Sequence, residues 1–268
     1  MQLPGRHFAR NLIHRRTLLL QMVRRDFEQR FIGSTAGWMW GLILPLVQLL
    51  SWVFVFQLCL HQRVPPNEST QNYPLFLFCG FLPWLLFQDT VTRSASSMLD
   101  NANLITKTVF PAEIVPVSIF LSSLASHLMV VALLITGRGV VTGHFSLWML
   151  MLPLYMLMVG LFAIGVGWIV ASLQVYLRDT AQVLTVLMVF WFWVTPIFIT
   201  EQQMPERFRF ILHLNPLAFV VRAYRDRLLS YRIPSLHDFA ILAVYAFTAF
   251  LAGGLFFRHL KRGFADVL

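Results

Sequence analysis

Long apolar stretches alternate with short polar segments along the whole chain. Six of these stretches reach the length of about 20 residues that a helix needs to cross the roughly 30 Å hydrocarbon core of a bilayer. They cover residues 38–60, 73–92, 110–136, 147–173, 181–199 and 236–257. This pattern predicts an all-α integral membrane protein with six transmembrane helices.

Two further segments place apolar residues at helical spacing but are too polar to cross a membrane. Residues 8–31 predict an amphipathic helix that lies along the membrane surface, with its arginines beside the lipid headgroups. Residues 200–235 predict two short re-entrant or interfacial external helices, separated at Asn215-Pro216. The expected parts of the chain are therefore a segment 1–37 with the interface helix and a transmembrane domain 38–268.

The composition agrees with a membrane protein. Apolar residues make up 57% of the 268 residues and charged residues 12%, whereas a soluble domain carries about 25% charged residues. The formal net charge is +9, but the basic residues lie at the ends of apolar stretches, so we expect membrane lipids and no nucleic acid as partners. Lysine and arginine concentrate before residue 38 and after residue 257, which predicts that both termini are cytoplasmic.

Residues 200–235 depart from this charge rule, because an even number of spans places them outside the cell. The arginines of this segment are Arg207, Arg209, Arg222, Arg225, Arg227 and Arg232. The acids Glu201, Glu206 and Asp226 offset half of their charge. Two interpretations stay open for the arginines at 222, 225 and 227: interface snorkelling with pairing to Asp226, or recognition of an anionic lipid linker.

The sequence holds no recognisable catalytic motif, so an enzyme is not expected. Its only lysines, Lys107 and Lys261, do not follow glycines, so ATP cannot bind here through a P-loop. The two cysteines stand apart in apolar stretches, and no metal site is expected. No acid lies in the middle of a predicted span, which argues against ion coupling. The alternatives are an ion-driven flippase or exporter, and a membrane-embedded glycosyl- or acyltransferase whose external arginines hold a pyrophosphate.

Aromatic residues are abundant on the first and fifth spans. The candidates are Trp52, Phe54 and Phe56 on the first span and Phe190, Trp191, Phe192 and Trp193 on the fifth. These rings are suited to helix packing and to the membrane interface, and equally to a surface on which sugar rings stack. His127, inside the third span, is interpreted as a packing residue in preference to a functional one.

Small residues recur at four-residue intervals in two places, and such stripes allow helix backbones to approach closely. The stripes are Gly33, Gly37 and Gly41 at the start of the first span, and Ala163, Gly167 and Ala171 on the fourth. They predict tight helix packing, within one chain or between two copies.

Five groups of residues, in order along nearly the whole chain, resemble the ABC-2 type transporter permeases, and in particular the branch that exports O-antigen and teichoic-acid polysaccharides. The groups are Arg25-Asp26-Phe27 with Arg30-Phe31-Ile32-Gly33-Ser34 and Gly37-Trp38-Met39-Trp40; Asn101-Ala102-Asn103-Leu104-Ile105-Thr106-Lys107 with Phe110-Pro111; Tyr176-Leu177-Arg178-Asp179-Thr180; Trp193-Val194-Thr195-Pro196-Ile197; and Leu214-Asn215-Pro216-Leu217 with Ala223-Tyr224-Arg225-Asp226. Each group alone is weakly specific, and the five in register make the resemblance strong.

The resemblance implies a multi-pass permease of the bacterial inner membrane that exports a lipid-linked polysaccharide, with O-antigen as the first choice. Two copies would form a homodimer, and each would bind a cytoplasmic ATPase subunit. ATP and magnesium would sit on that partner, so no cofactor is expected in this chain. Spans one and five of both copies would line a channel with the aromatic residues named above.

The resemblance also implies roles for two groups of polar residues. A coupling segment around 93–109 would meet the ATPase through Asp100, Asn101, Asn103, Lys107 and the nearby Glu113. Residues 200–235 would form external gate helices with Asn215, Pro216, Arg222, Tyr224, Arg225 and Asp226.

Overall fold

The computed structural model describes residues 15–30, 33–65, 68, 70–107, 110–142, 147–230 and 235–268, without the side chains of 140–142 and 265. Within these residues the structure is almost entirely helical and contains no β-strand, which confirms the all-α membrane protein expected from the sequence. The first part of the predicted interface helix, up to residue 14, and Arg232 lie outside the described residues.

Eleven α-helices form in the part of the chain that the structure describes. They are α1 (Arg16–Gln29), α2 (Trp40–Val53), α3 (Tyr73–Asp100), α4 (Ala102–Lys107), α5 (Ile114–Thr142), α6 (Leu152–Tyr176), α7 (Thr180–Val194), α8 (Phe210–Leu214), α9 (Pro216–Leu229), α10 (Leu236–Leu260) and α11 (Phe264–Val267). Short 3-10 turns precede α2 and α6, and a π-helical turn, Phe54–Cys59, continues α2.

Five helical stretches of the described chain are long and apolar enough to cross a membrane. They are Gly37–Cys59, Tyr73–Asp100, Ile114–Gly139, Leu147–Tyr176 and Leu236–Gly263. The sixth candidate, α7, has 15 residues and therefore a length of only about 22 Å at about 1.5 Å per residue. It ends at Val194 because Thr195 precedes a proline, and that position disfavours helical backbone. The count of six spans stays a prediction.

Successive long helices run in opposite directions, namely α2, α3, α5, α6, α7 and α10, and this gives the bundle two ends. One end carries α4, where α3 finishes and α5 begins, and we call it the α4 end. The other end carries α9, where α3 begins, and we call it the α9 end. At the α9 end, side chains cap three helix starts: Asn72 accepts from the Leu75 N–H, Asn215 from the Leu217 N–H, and Ser235 from the Asp238 N–H.

The core of the bundle is formed by α3 and α6. The apolar window of α3 is 72% buried inside the chain, because α5, α6, α7 and α9 all pack against this helix. The window of the first span, by contrast, is 6% buried and that of α10 is 17% buried. These two helices lie at the periphery, and their apolar side chains are left for lipid or a second copy to cover.

The helices α6 and α10 approach each other closely at two glycines. A Cβ atom on Gly253 would lie under 3.0 Å from three backbone atoms of Gly165, so only two glycines allow this approach. The predicted stripe of Ala163, Gly167 and Ala171 is buried within the chain, and Gly167 faces Ser94 of α3.

The first glycine stripe has a different local role within one chain. Gly33 and Gly37 have φ angles of +77° and +51°, which residues with a side chain rarely adopt. Apart from the directly adjacent residues, no atom of the described chain lies within 4 Å of a Cβ built on either glycine. They therefore turn the backbone between α1 and α2. Gly41 lines a cavity of about 220 Å³ between α2, α3 and α5. Packing of this stripe against a second copy stays a prediction.

Candidate functional site

Four of the seven predicted channel aromatics turn toward the bundle. Trp52, Phe56 and Phe192 surround Phe198, with ring centroids 5.1, 4.6 and 5.4 Å from its ring. Phe198 is buried, and its carbonyl accepts a hydrogen bond from the Tyr73 hydroxyl at 3.3 Å. The sequence analysis passed over Phe198, although it directly follows Pro196-Ile197, where the chain must leave the helix.

The other three aromatic side chains are mostly exposed, although one face of the Trp193 ring stacks on Phe198 with centroids 5.1 Å apart. Phe54, Phe190 and Trp193 are 59%, 69% and 58% exposed. Phe54 begins the π-helical turn that continues α2, and Phe190 and Trp193 lie on α7. Further exposed apolar residues surround them, so the first span and α7 offer an apolar and aromatic outer surface. Whether this surface lines a channel between two copies stays a prediction.

Trp191 is the fourth inward aromatic, and it holds the start of α9. Its ring packs on Phe87 with centroids 5.1 Å apart, and its indole N–H donates to the Asn215 side-chain oxygen at 2.9 Å. The Asn215 amide donates in turn to the Thr195 hydroxyl at 3.0 Å. Asn215 therefore joins the end of α7 to the start of α9, where Pro216 fits the first helical position.

The helix α9 is inserted into the bundle and does not form a free external loop. It packs against α3, α6 and α10, and most of its side chains are buried. Tyr224 is fully buried, with its hydroxyl oxygen 3.0 Å from Nε2 of His127 on α5. This contact supports the interpretation of His127 as a packing residue.

Two arginines of α9, Arg222 and Arg225, bond to other parts of the same chain. Arg222 donates to Glu201 at 2.6 and 2.8 Å and to Asp238 at 2.6 Å, which links α9 to the segment after α7 and to the first turn of α10. Burial alone would lower the Arg222 pKa, but the hydrogen bonds to Glu201 and Asp238 outweigh it and raise the pKa above its ordinary value.

Arg225 is buried against α3. Its guanidinium lies 3.6 Å from the ring centre of Phe76 and donates to the Ile197 carbonyl at 2.6 Å. A Cβ on Gly80 would lie 2.8 Å from one of its nitrogens, so this glycine makes room for the arginine. The structure thus shows other partners for these two arginines: Arg222 pairs with Glu201 and Asp238, and Arg225 bonds to backbone carbonyls. The pairing of this arginine group with Asp226 stays a prediction.

A cavity of about 180 Å³ lies beside these arginines at the α9 end. Its lining includes Arg222 and Arg225, and also the acids Glu68, Glu201 and Asp226. Three carboxylates beside two guanidiniums do not favour an anion. The cavity gives no support to recognition of a phosphate linker by these two arginines.

At the α4 end, two matched ion pairs fasten the interface helix α1 to α3. Asp26 of α1 pairs with Arg93 of α3, and Arg30 pairs with Asp89. Aspartate and arginine stand four residues apart both on α3 and at the end of α1, where Arg30 directly follows the helix. The antiparallel arrangement of the two segments brings opposite charges together. Hydroxyls of α5 complete the cluster, since Ser123 donates to Asp89 at 2.5 Å and Ser126 accepts from Arg30 at 3.2 Å. The sequence analysis missed this cluster, whose signal was the repeated four-residue spacing.

We expect the Asp26→Asn substitution to loosen α1 from the bundle. The Asp26–Arg93 pair is largely shielded from water, and hydrogen bonds to charged groups contribute about 1.5–3 kcal/mol. Trypsin should therefore cleave the purified variant at the arginines of α1 about tenfold faster. The matched control is Glu28→Gln, which removes an exposed pair with Arg24 on the same helix and should leave the cleavage rate unchanged. Equal rates for both variants would contradict the anchoring role.

The predicted coupling residues divide into two groups. Asn103 and Lys107 are exposed on α4, where a partner could reach them. Asp100 and Asn101 shape the α3–α4 turn, because Asp100 accepts from the Ser96 hydroxyl at 2.9 Å and Asn101 donates to the Ser97 carbonyl at 2.9 Å. Glu113 forms an ion pair with Lys261 after α10. Contact of any of them with an ATPase stays a prediction.

The sequence as a whole decides the family. Residues 17–229, well over half of the chain, match the ABC-2 type transporter family. The chain belongs to this family. The resemblance inferred from the five groups of residues is thereby confirmed, and the matched region extends from α1 to the end of α9.

Several named relatives are similar to this ABC-2 transporter chain over nearly their full length. The O-antigen export system permease protein RfbA of Myxococcus xanthus is 28% identical over 261 residues, covering 96% of this chain and 98% of the relative. The RfbA protein of Klebsiella pneumoniae is 28% identical over 252 residues, covering 94% and 95%. The polysialic acid transport protein KpsM of Escherichia coli is 22% identical over 236 residues, covering 87% and 90%.

Proposed function

We propose that this chain is the transmembrane subunit of an ATP-driven exporter that moves a lipid-linked polysaccharide of the O-antigen type across the bacterial inner membrane. The observation that carries the proposal is the similarity, over nearly the full length of both chains, to two proteins named as O-antigen export permeases. The weaker similarity to a polysialic acid transport protein supports the broader substrate class, a polysaccharide.

The energy source in this proposal is a separate ATPase. The sequence has no P-loop, so ATP and magnesium belong to a cytoplasmic partner that binds at the α4 end. Exposed basic residues near this end, such as Arg258 and Arg262, support a cytoplasmic position for it. At the α9 end, Glu201 and Asp238 neutralise Arg222, which explains how an external segment tolerates this arginine.

The path in this proposal runs between two copies of the chain. The first span and α7 expose most of their apolar surface and carry Phe54, Phe190 and Trp193 on it. Aromatic faces bind sugar rings through apolar stacking without a fixed register, which suits a polymer that has to slide. A homodimer joined near these helices would enclose that surface.

The first test is co-purification of this chain with the ATPase encoded beside it. A complex of two permeases and two ATPases that hydrolyses ATP, together with loss of surface polysaccharide in cells that lack this chain, is the expected result. Full surface polysaccharide without the chain would refute the proposal. Transport that follows an ion gradient would favour a flippase, and conversion of the substrate by the purified chain alone would favour a transferase.

A second prediction concerns the exposed aromatics. We expect the double variant Phe190→Leu, Trp193→Leu to assemble with the ATPase but to export several-fold less polysaccharide, since each lost stacking contact removes about 1 kcal/mol. The control is Phe247→Leu on α10, an aromatic residue that is 51% exposed on a peripheral helix outside the proposed path. Export by immunoblot of surface polymer, normalised to protein amount, is the measurement. An equal decrease in both variants would contradict a lining role.

A further inference from the structure

The chain continues beyond α10 into a short segment that folds back on the end of α6. We call residues Lys261–Val267, a 3-10 turn followed by α11, the brace segment. The Tyr176 hydroxyl at the end of α6 donates to the Leu260 carbonyl at 2.9 Å, directly before this segment. A Cβ on Gly263 would lie 2.6 Å from the same hydroxyl oxygen, so the backbone passes closely over Tyr176.

One aromatic side chain anchors the brace segment in the core. Phe264 is only 1% exposed, and its ring lies 5.4 Å from Phe257 of α10 and 6.1 Å from Tyr176. A helix of four residues has no stability of its own, because the cost of forming its first turn is not recovered. The position of α11 is therefore set by this tertiary packing.

A charged side chain ties the brace segment to the start of α5. Lys261 forms an ion pair with Glu113, which follows the coupling segment and precedes Ile114, the first residue of α5. The backbone carbonyl of Glu113 also accepts from the Trp168 indole of α6 at 3.1 Å. Trp168 packs on Phe250 of α10 with ring centroids 4.9 Å apart. Glu113 is thus held by the brace segment and by α6 together.

The brace segment also supports α4 directly. α11 packs against α4 and against α6, and α4 is itself only six residues long. A helix this short keeps its position only through its neighbours. A displacement of α4 therefore reaches α6 and α10 through the brace segment, in addition to the covalent path through α3 and α5.

We propose that the brace segment is the positioning element that passes the movement of α4 to α6 and α10, with Lys261 and Phe264 as its two fixing residues. The inference rests on the proposed function, in which the ATPase acts on α4. It assigns a role in coupling to a part of the chain that no motif in the sequence marks, beyond residue 229, where the family match ends.

The test uses the complete permease–ATPase complex reconstituted in vesicles, with ATP hydrolysis and polysaccharide export measured on the same preparation. The Lys261→Glu substitution places a second negative charge beside Glu113, so the ion pair that links the brace segment to the start of α5 is lost. We expect normal assembly and ATP hydrolysis, but at least about fivefold less export per ATP. A factor of about five is the lower end of the effects that coupling between two sites typically produces. The double variant Glu113→Lys, Lys261→Glu should recover export because it restores the ion pair.

Two further variants separate coupling from simple destabilisation. Arg262→Glu makes the same charge change at the next, exposed residue and should export normally. Phe264→Leu keeps an apolar anchor and should retain export, whereas Phe264→Ala should reduce export per ATP. Normal export per ATP by Lys261→Glu would overturn the inference alone. So would a failure of the charge swap to restore export in a complex that still assembles and hydrolyses ATP at the normal rate, since those two readouts report separately on any ATPase contact of Glu113. A wild-type chain that binds no ATPase would overturn the proposed function and the inference with it.

Discussion

Gly253→Ala is expected to destabilise the protein strongly although it adds a single methyl group. The new Cβ would overlap backbone atoms of Gly165, and a backbone cannot move aside as a flexible side chain can. The helices α6 and α10 would have to separate along their longest contact, and overpacking of this kind costs about 1–3 kcal/mol or more. Thermal unfolding of the purified protein in detergent, followed by size-exclusion chromatography, measures the loss.

The neighbouring glycine provides the matched control. A Cβ on Gly254 would lie 3.4 Å from the nearest atom of the Trp168 ring, which is close to an ordinary contact. Gly254→Ala makes the same chemical change in the same helix, with the same gain in helix propensity, and should leave the unfolding temperature nearly unchanged. Similar unfolding temperatures for the two variants would contradict a close backbone contact between Gly253 of α10 and Gly165 of α6.

Asn215→Ala is expected to have the second large effect, because one side chain serves three groups. The change removes the hydrogen bonds that the Asn215 side chain makes with the Trp191 N–H, the Thr195 hydroxyl and the Leu217 N–H. Asn215 is buried, so water cannot readily replace these bonds. A lost cap costs about 1 kcal/mol and a buried unsatisfied polar group about 1–3 kcal/mol. We expect a loss of about 2–4 kcal/mol in the free energy of unfolding and release of the start of α9.

Asn72→Ala tests whether this loss exceeds that of an ordinary helix cap. Asn72 also caps a helix, since its side chain accepts from the Leu75 N–H at 3.1 Å, but the residue is exposed. Its replacement should cost only about 1 kcal/mol. Thermal unfolding and protease cleavage between α7 and α9 are the measurements. Equal losses in the two variants would mean that the bond from Trp191 to Asn215 contributes nothing to the position of α9.

These two predictions concern the contacts that hold α9 and α10 in the bundle. Arg222 of α9 adds a further contact, because it pairs with Asp238 of α10 and with Glu201. In the proposed exporter, α9 forms part of the outer gate, so a gate movement must break or carry along the contacts of Asn215 and Arg222. The charge cluster of α1 and the brace segment hold the opposite end. The helices α3 and α6 connect the two ends as a buried and tightly packed core.

The sequence by itself determined the class of the protein, because bilayer thickness and the cost of burying unpaired backbone groups leave few choices for a long apolar stretch. It also indicated that α9 begins at Pro216, since Asn and Pro are typical of a helix start. The five groups of residues placed the chain in the ABC-2 type transporter family, and the family match agrees.

Only the tertiary structure decided where the side chains of these helices point. Periodicity on α7 could not show that Trp191 turns inward to Asn215 while Phe190 and Trp193 stay exposed, because four consecutive aromatic residues face all sides of a helix. Charge counting could not show that Arg222 pairs with Glu201 and Asp238, because these partners lie 21 and 16 residues away along the chain.

The same limit applies to the glycines and to the cluster of α1. Gly33 and Gly37 form the more regular stripe in the sequence, yet the close helix crossing within the chain lies at Gly165 and Gly253, which belong to no shared motif. A small residue marks a possible approach, and only the packing of two distant helices decides whether that approach occurs. Hydrophobic periodicity therefore fixed the elements, and contacts between residues far apart in sequence fixed their arrangement.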